Sequence, residues 1–213
     1  MKKLIPILLT AGALSLTVAQ PAFSQTATAI EASLSAEQLE LLNALPGDVR
    51  AALLQMGLSP AQFGAAVAAV AALPPAMQTA VAQLPPAQRA ELVGAIVEIQ
   101  ATVQSGNAAN VAAATARLNS AVQALPAAVR ADMAVAVATQ VQASVAALPL
   151  TSPVRTVAAA AIVGVGQVAV ANGASTAQLA TIEQAALVAQ ADAPAPEGIG
   201  ALDPNPQGSP TNG

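Results

Sequence analysis

Arginine is the residue whose spacing most suggests binding chemistry. Arg50, Arg89 and Arg130 each stand five residues after the leucine of a Leu-Pro pair, and Arg155 stands seven residues after Leu148. A guanidinium offers a planar fork of N–H donors that suits carboxylates. Near a helix start this positive charge opposes the helix dipole, so each arginine needs a compensating partner. We expect either ion pairs with neighbouring helices or a ladder of arginines, Arg50, Arg89, Arg130 and Arg155, that binds an acidic protein partner.

Two pairs of carboxylates have a spacing that places them on one helix face. Glu37 and Glu40 are three residues apart, and Glu91 and Glu98 are seven apart. The first pair follows Ser35, which has Gln38 three residues later, the pattern of a capping box at a helix start. We therefore interpret both pairs as parts of solvated helix faces rather than as acid/base or metal sites.

The residue inventory disfavours an enzyme. The chain contains no histidine and no cysteine, so imidazole and thiolate groups are missing for nucleophilic catalysis and for metal binding. The sequence Gly164-Val165-Gly166 lacks the strand, the third glycine and the lysine of a phosphate loop, and we assign it to close helix packing. We predict no catalytic residue, no metal site and no cofactor.

Charge and aromatic content narrow the classes of partner. Both lysines lie at positions 2 and 3, so residues 25–213 carry five arginines against eleven acids, a formal charge of −6. This charge disfavours nucleic acid, which requires a basic surface, and we predict no nucleic-acid partner. Phe63 is the only aromatic residue after position 24, and aromatic side chains usually line ligand pockets. No small-molecule substrate is evident.

Alanine and proline together predict many short helices. Alanine supplies 58 of the 213 residues and is the best helix former. Proline is excluded from helix interiors but tolerated in the first turn, so each Leu-Pro pair marks one helix end and the next helix start. Glycine gives the other breaks, at Ser105-Gly106-Asn107 and at Asn172-Gly173-Ala174-Ser175. The predicted helices are 35–44, 48–56, 60–73, 75–83, 86–105, 107–124, 127–147, 153–171 and 175–190.

Narrow apolar stripes at helical spacing indicate how these helices pack. Leu92, Ile96, Ile99 and Val103 are separated by four, three and four residues, as expected for one helix face. The valine-rich run 163–170 alternates like a strand, but its alanine-rich neighbours favour a helix. The fold class predicted is all-α: an irregular bundle or a short array of helical hairpins, broken by Leu-Pro and glycine, with a disordered C-terminal tail.

The same order of helices and helix breaks occurs at two places in the chain. Leu-Pro, helix, glycine break and helix follow one another at 84–124 and again at 148–190. We interpret these segments as an internal duplication of a helical hairpin, although the repeat is degenerate.

The ends of the chain predict an exported protein. Residues 1–24 combine a basic start, an apolar run and small residues before a cleavage point, which is the pattern of a signal peptide; cleavage after Ser24 or after Ala29 fits. Residues 25–33 are predicted to be a disordered linker and 34–191 the alanine-rich helical domain. Residues 192–213 are rich in Pro and Gly and predict a disordered tail.

These features favour an exported, non-enzymatic helical protein with a structural or protein-interaction role in the bacterial periplasm or outside the cell. Contact with a protein partner or with a second copy suits its alanine-rich faces. The alternative is a membrane- or lipid-associating helical protein, because residues 133–150 and 157–171 carry no charge. Both segments are rich in near-neutral alanine and lack interfacial anchors, which makes this alternative the weaker one.

Overall fold

A computed structural model describes Ala32 and residues 34–190 of the chain. These residues form nine α-helices and no strand. The helices are α1 (Ala36–Ala44), α2 (Gly47–Leu54), α3 (Pro60–Ala71), α4 (Pro75–Ala82), α5 (Pro86–Gln104), α6 (Val111–Val122), α7 (Ala127–Val145), α8 (Pro153–Ala171) and α9 (Thr176–Gln190). The predicted all-α architecture is confirmed for this part of the chain. The predicted signal peptide and disordered tail lie outside the described residues, as does most of the predicted linker.

Proline sets the starts of the helices as the sequence predicts. Pro60, Pro75, Pro86 and Pro153 are the first residues of α3, α4, α5 and α8, where the missing N–H of proline costs nothing. The leucine before each of the first four Leu-Pro breaks, Leu45, Leu73, Leu84 and Leu125, is buried. Each of these breaks therefore adds a core side chain where one helix ends and the next begins.

Glycine ends two of the longer helices through backbone geometry. Gly106 and Gly173 adopt positive φ angles of 66° and 77°, a conformation that side chains with a Cβ rarely adopt. The Gly106 N–H donates to Val103 and the following Asn107 N–H to Thr102, the Schellman arrangement. The Ser35–Gln38 capping box is present, with the Ser35 N–H donating to Gln38 Oε1 at 3.0 Å.

The helix predicted over 107–124 is wrong in its first turn. Residues Ala108–Asn110 form a 3-10 helix, and the α-helix begins only at Val111. The Asn107 side chain accepts from the Ala109 N–H at 3.2 Å. This local bond satisfies a free N–H of the first turn and holds the backbone in the tighter conformation. The valine-rich run 163–170, in contrast, is helical as predicted.

Helix α8 is the centre of the bundle. It packs against α7 and α9 along most of its length and also contacts α5 and α6. The first four helices form a second layer, in which α3 and α4 contact α5. The largest fully buried side chains run through both layers: Phe63, Leu42, Leu53, Leu92, Ile96, Ile99, Leu118, Leu125, Met133, Ile162 and Ile182. Both segments of the proposed duplication, α5–α6 and α8–α9, are helical hairpins; common descent of the two remains a prediction.

Candidate functional site

Arg89 lies at the junction of three helices, with only 5% of its surface exposed. Its guanidinium donates to the carbonyl oxygens of Ala82 at 3.0 Å and of Leu84 at 2.7 Å, which end α4. It also donates to the carbonyl of Ala52 in α2 at 2.6 Å. Burial lowers the pKa of Arg89 from its ordinary value, because desolvation disfavours the charged form.

Arg155 repeats this arrangement at the second buried junction. It donates to the carbonyls of Ala146 and Leu148, each at 3.1 Å, at the end of α7. It also donates to Val188 at 2.9 Å and to Ala189 at 3.2 Å in the last turn of α9. Each buried arginine therefore ties together the C-terminal ends of two helices.

Arg130 and Arg50 are only partly buried. Arg130 donates to the carbonyls of Leu125 at 2.9 Å and Gln123 at 2.8 Å, at the end of α6. Arg50 donates to the side-chain oxygen of Asn43 at 3.3 Å. Gln78, which occupies the same motif position after Leu73, donates to the Leu73 carbonyl at 2.9 Å.

The compensation that these arginines require comes from main-chain carbonyls. The last carbonyls of a helix have no partner within it and carry the negative end of the helix dipole. An arginine in the first turns of the next helix reaches back across the Leu-Pro break to these oxygens. The expected ion pairs are wrong for Arg89, Arg130 and Arg155: among the described residues, their partners are carbonyl oxygens and one glutamine side chain. Binding of an acidic partner by the four arginines remains a prediction.

Arg117 is the charged residue that sequence reasoning missed. From α6 it donates to Glu98 at 2.6 Å and to Glu91 at 3.2 Å, both on α5. The hydrogen bond to Glu98, followed by the one to Glu91, raises the pKa of Arg117 above its ordinary value. The seven-residue spacing of the two glutamates was visible in the sequence. The sequence did not show that Arg117 of α6 lies opposite these glutamates.

The structure strongly supports the assignment of Gly164 to close helix packing. A Cβ placed on Gly164 of α8 would lie 2.7 Å from Thr115 Cγ2 of α6, closer than nonbonded carbon atoms approach. The absence of a side chain at Gly164 therefore sets how closely α6 and α8 approach.

No cluster in the described residues resembles a metal or acid/base centre. No group of three or more acidic, histidine or cysteine side chains comes together within this part of the chain. Glu37 and Glu40 lie on the exposed surface of α1, beside its capping box. The concave surfaces include grooves between helices, and one of them, between α6 and α8, has a volume of about 550 Å³.

No family model, curated protein or solved structure matches this chain.

Proposed function

We propose that the chain is an exported, non-enzymatic helical protein with a structural or protein-interaction role in the bacterial periplasm or outside the cell. The basic start and apolar run of residues 1–24 support export. The absence of histidine and cysteine from the sequence and of an acidic cluster from the described residues supports a non-enzymatic role.

The observation that carries the interaction role is an uncharged, partly apolar surface on α7 and α9. A groove of about 410 Å³ lies between these helices. Its lining residues are Thr139, Gln142, Ala180, Thr181, Gln184, Ala185 and Val188. Val188 of this lining is 38% exposed, and its neighbour in sequence, Leu187, is 49% exposed. We name this region the α7/α9 surface.

Two features of the α7/α9 surface suit contact with another helix. Charged residues are depleted at the centres of protein interfaces, because they are costly to desolvate, and none lines this groove. An amphipathic helix binds such a groove by inserting apolar side chains at helical spacing. A second copy of this chain could supply its own Leu187 and Val188 for a self-complementary contact.

Self-association gives this proposal a direct test. Sedimentation velocity of the purified protein across a range of concentrations is expected to show a defined oligomer. Val188→Ser on the α7/α9 surface is expected to shift the protein toward monomer. Val170→Ser is the matched control, because Val170 is equally exposed, at 38%, but lies at the end of α8. A monomer at every concentration, or equal effects of the two substitutions, would count against the role of this surface.

One observation favours the alternative function, association with lipid. Helix α8 has 19 residues and is the one helix among the described residues that is long and apolar enough to cross a membrane. However, 61% of its apolar window is buried inside the protein, where α5, α6, α7 and α9 cover it. A core helix of a soluble bundle has the same length and composition, so lipid association would require the bundle to open.

A further inference from the structure

A second groove, between α7 and the break that joins α3 to α4, has the properties of a small-ligand site. Its volume is about 500 Å³, within the range of ligand pockets. Pro74 and Met77 line one side, and Val135 and Ala136 line the other. We call it the α7/α4 groove. It adjoins the α7/α9 surface, with which it shares Thr139, and its test is independent of the proposed function.

The polar side chains of the α7/α4 groove all present acceptors. They are Asp132, Thr139 and Gln140. The Thr139 hydroxyl already donates to the Val135 carbonyl at 3.0 Å, and Gln140 Nε2 donates to the Ala69 carbonyl at 3.1 Å. The Thr139 hydroxyl hydrogen and one of the two Gln140 N–H groups are thus engaged within the protein, and Asp132 carries a carboxylate, which only accepts.

The side-chain oxygen of Gln140, Oε1, is a further hydrogen-bond acceptor of a groove-lining residue. The atom is buried and has no hydrogen-bond partner among the described residues. Since the Nε2 contact with Ala69 fixes which end of the amide is the oxygen, Oε1 is an acceptor in need of a donor. Buried acceptors without partners are rare in folded proteins because desolvation then goes uncompensated.

We propose that the α7/α4 groove binds an organic cation: a protonated amine attached to an apolar body. The ammonium group pairs with the Asp132 carboxylate, which also accepts from Gln178 of α9. The apolar body lies along Met77, Val135 and Ala136. Gln140 Oε1, eight residues or about 12 Å along α7 from Asp132, is buried from solvent, so the ligand contacts rest on Asp132 and the apolar lining.

Charge decides the class of ligand. No arginine lines the groove, so an anionic ligand would place its charge near Asp132 without compensation. A neutral alkyl chain would gain only the apolar contact. A cation gains the apolar contact together with a charge-assisted hydrogen bond, which is about twice as strong as a neutral one.

Methionine methyl groups allow this binding to be located directly. Met56, Met77 and Met133 are the methionines in the described residues. Met77 lines the α7/α4 groove, Met56 lines a different groove beside Arg117, and Met133 is fully buried. Protein labelled with ¹³C at the methionine methyl is titrated with n-hexylammonium and followed by NMR. The Met77 methyl resonance is expected to shift with saturation, while those of Met56 and Met133 stay in place.

Ligand and protein controls separate the charge from the apolar contact. n-Hexanol is expected to bind about tenfold more weakly than n-hexylammonium, a difference of one charged hydrogen bond, and hexanoate more weakly still. Asp132→Asn is expected to weaken n-hexylammonium binding by about tenfold. Glu183→Gln, which removes an acid from α9 outside the groove, is expected to leave it unchanged.

Several outcomes would overturn the proposal. Equal affinity for n-hexanol and n-hexylammonium would show an apolar groove with no selectivity for cations. Equal losses in Asp132→Asn and Glu183→Gln would show attraction by net charge alone. A shift of the Met56 methyl resonance in place of that of Met77 would show that the ligand binds in a different groove. An unchanged Met77 methyl resonance would rule out this ligand class.

Discussion

The Arg89 guanidinium donates to the carbonyl oxygen of Ala52 at 2.6 Å, across 37 residues of chain. The same guanidinium closes the end of α4 through Ala82 and Leu84. One side chain therefore fixes the positions of α2, α4 and its own helix α5. Because these acceptors are main-chain oxygens at helix ends, they lie at the negative end of the helix dipole and stabilise the buried positive charge.

Removing the Arg89 side-chain charge is expected to destabilise the fold strongly. Arg89→Met keeps an apolar stem but leaves buried carbonyls of α2 and α4 without a donor, at a cost of about 3 kcal/mol. Arg130→Met, at the more exposed junction after α6, is expected to cost about 1 kcal/mol. Urea unfolding followed by circular dichroism measures both, since the sequence contains no tryptophan. Equal losses for the two variants would contradict the importance of the buried junction.

Two glycine-to-alanine substitutions are expected to act in opposite directions. Gly164→Ala drives a methyl group into Thr115 and is expected to lower the free energy of unfolding by about 1–3 kcal/mol. Gly94→Ala is expected to raise it by up to about 1 kcal/mol, because alanine favours helix. The added Cβ of Gly94→Ala meets only the Arg117 guanidinium, at an ordinary 3.4 Å.

The glycine comparison includes a rescue experiment. Thr115→Ser removes the methyl group that a Gly164 Cβ would strike and retains the hydroxyl that donates to Val111. The double variant is expected to recover part of the loss caused by Gly164→Ala. If both alanine variants were equally stable, the contact between α6 and α8 would not depend on Gly164.

The Arg117 bridge is expected to contribute little and to depend on salt. The Arg117 side chain is 44% exposed, and exposed ion pairs contribute at most about 1 kcal/mol. Because its partners raise its pKa, the contribution of Arg117 to stability persists until the pH exceeds the ordinary arginine value, and salt weakens it first. Arg117→Gln is therefore expected to lower the free energy of unfolding at low ionic strength and to approach the unsubstituted protein in 1 M NaCl. A loss that is independent of salt would contradict an electrostatic role.

Most helix bounds were accessible from sequence because local rules set them. Proline at a first turn, a Ser35–Gln38 capping box and glycine at positive φ act within a few residues of chain. The beginning of α6 was missed because a 3-10 turn and an α-helix share the same capping asparagine, Asn107.

The roles of the arginines were less accessible, for a physical reason. Every residue has a main-chain carbonyl, so no residue type marks Ala52 or Val188 as a partner. The Leu-Pro-x-x-x-Arg spacing of Arg50, Arg89 and Arg130 indicated a shared position near a helix start, although Arg155 departs from it. It did not indicate that arginines at these positions donate to carbonyls at the end of the preceding helix. The contacts of these arginines with distant helices depend on how the helices pack, and so does the α7/α4 groove with its acceptors.

We propose that α7 and α8 belong to a closed helical bundle that works through protein contact in the aqueous phase. Flotation of the purified protein with neutral and with anionic liposomes, at low and at high salt, tests it most directly. The protein is expected to remain in the aqueous fraction under all four conditions, because the apolar face of α8 is already buried. Flotation with both kinds of liposome at both salt concentrations would show insertion by apolar burial, and the account of a closed bundle would then be wrong.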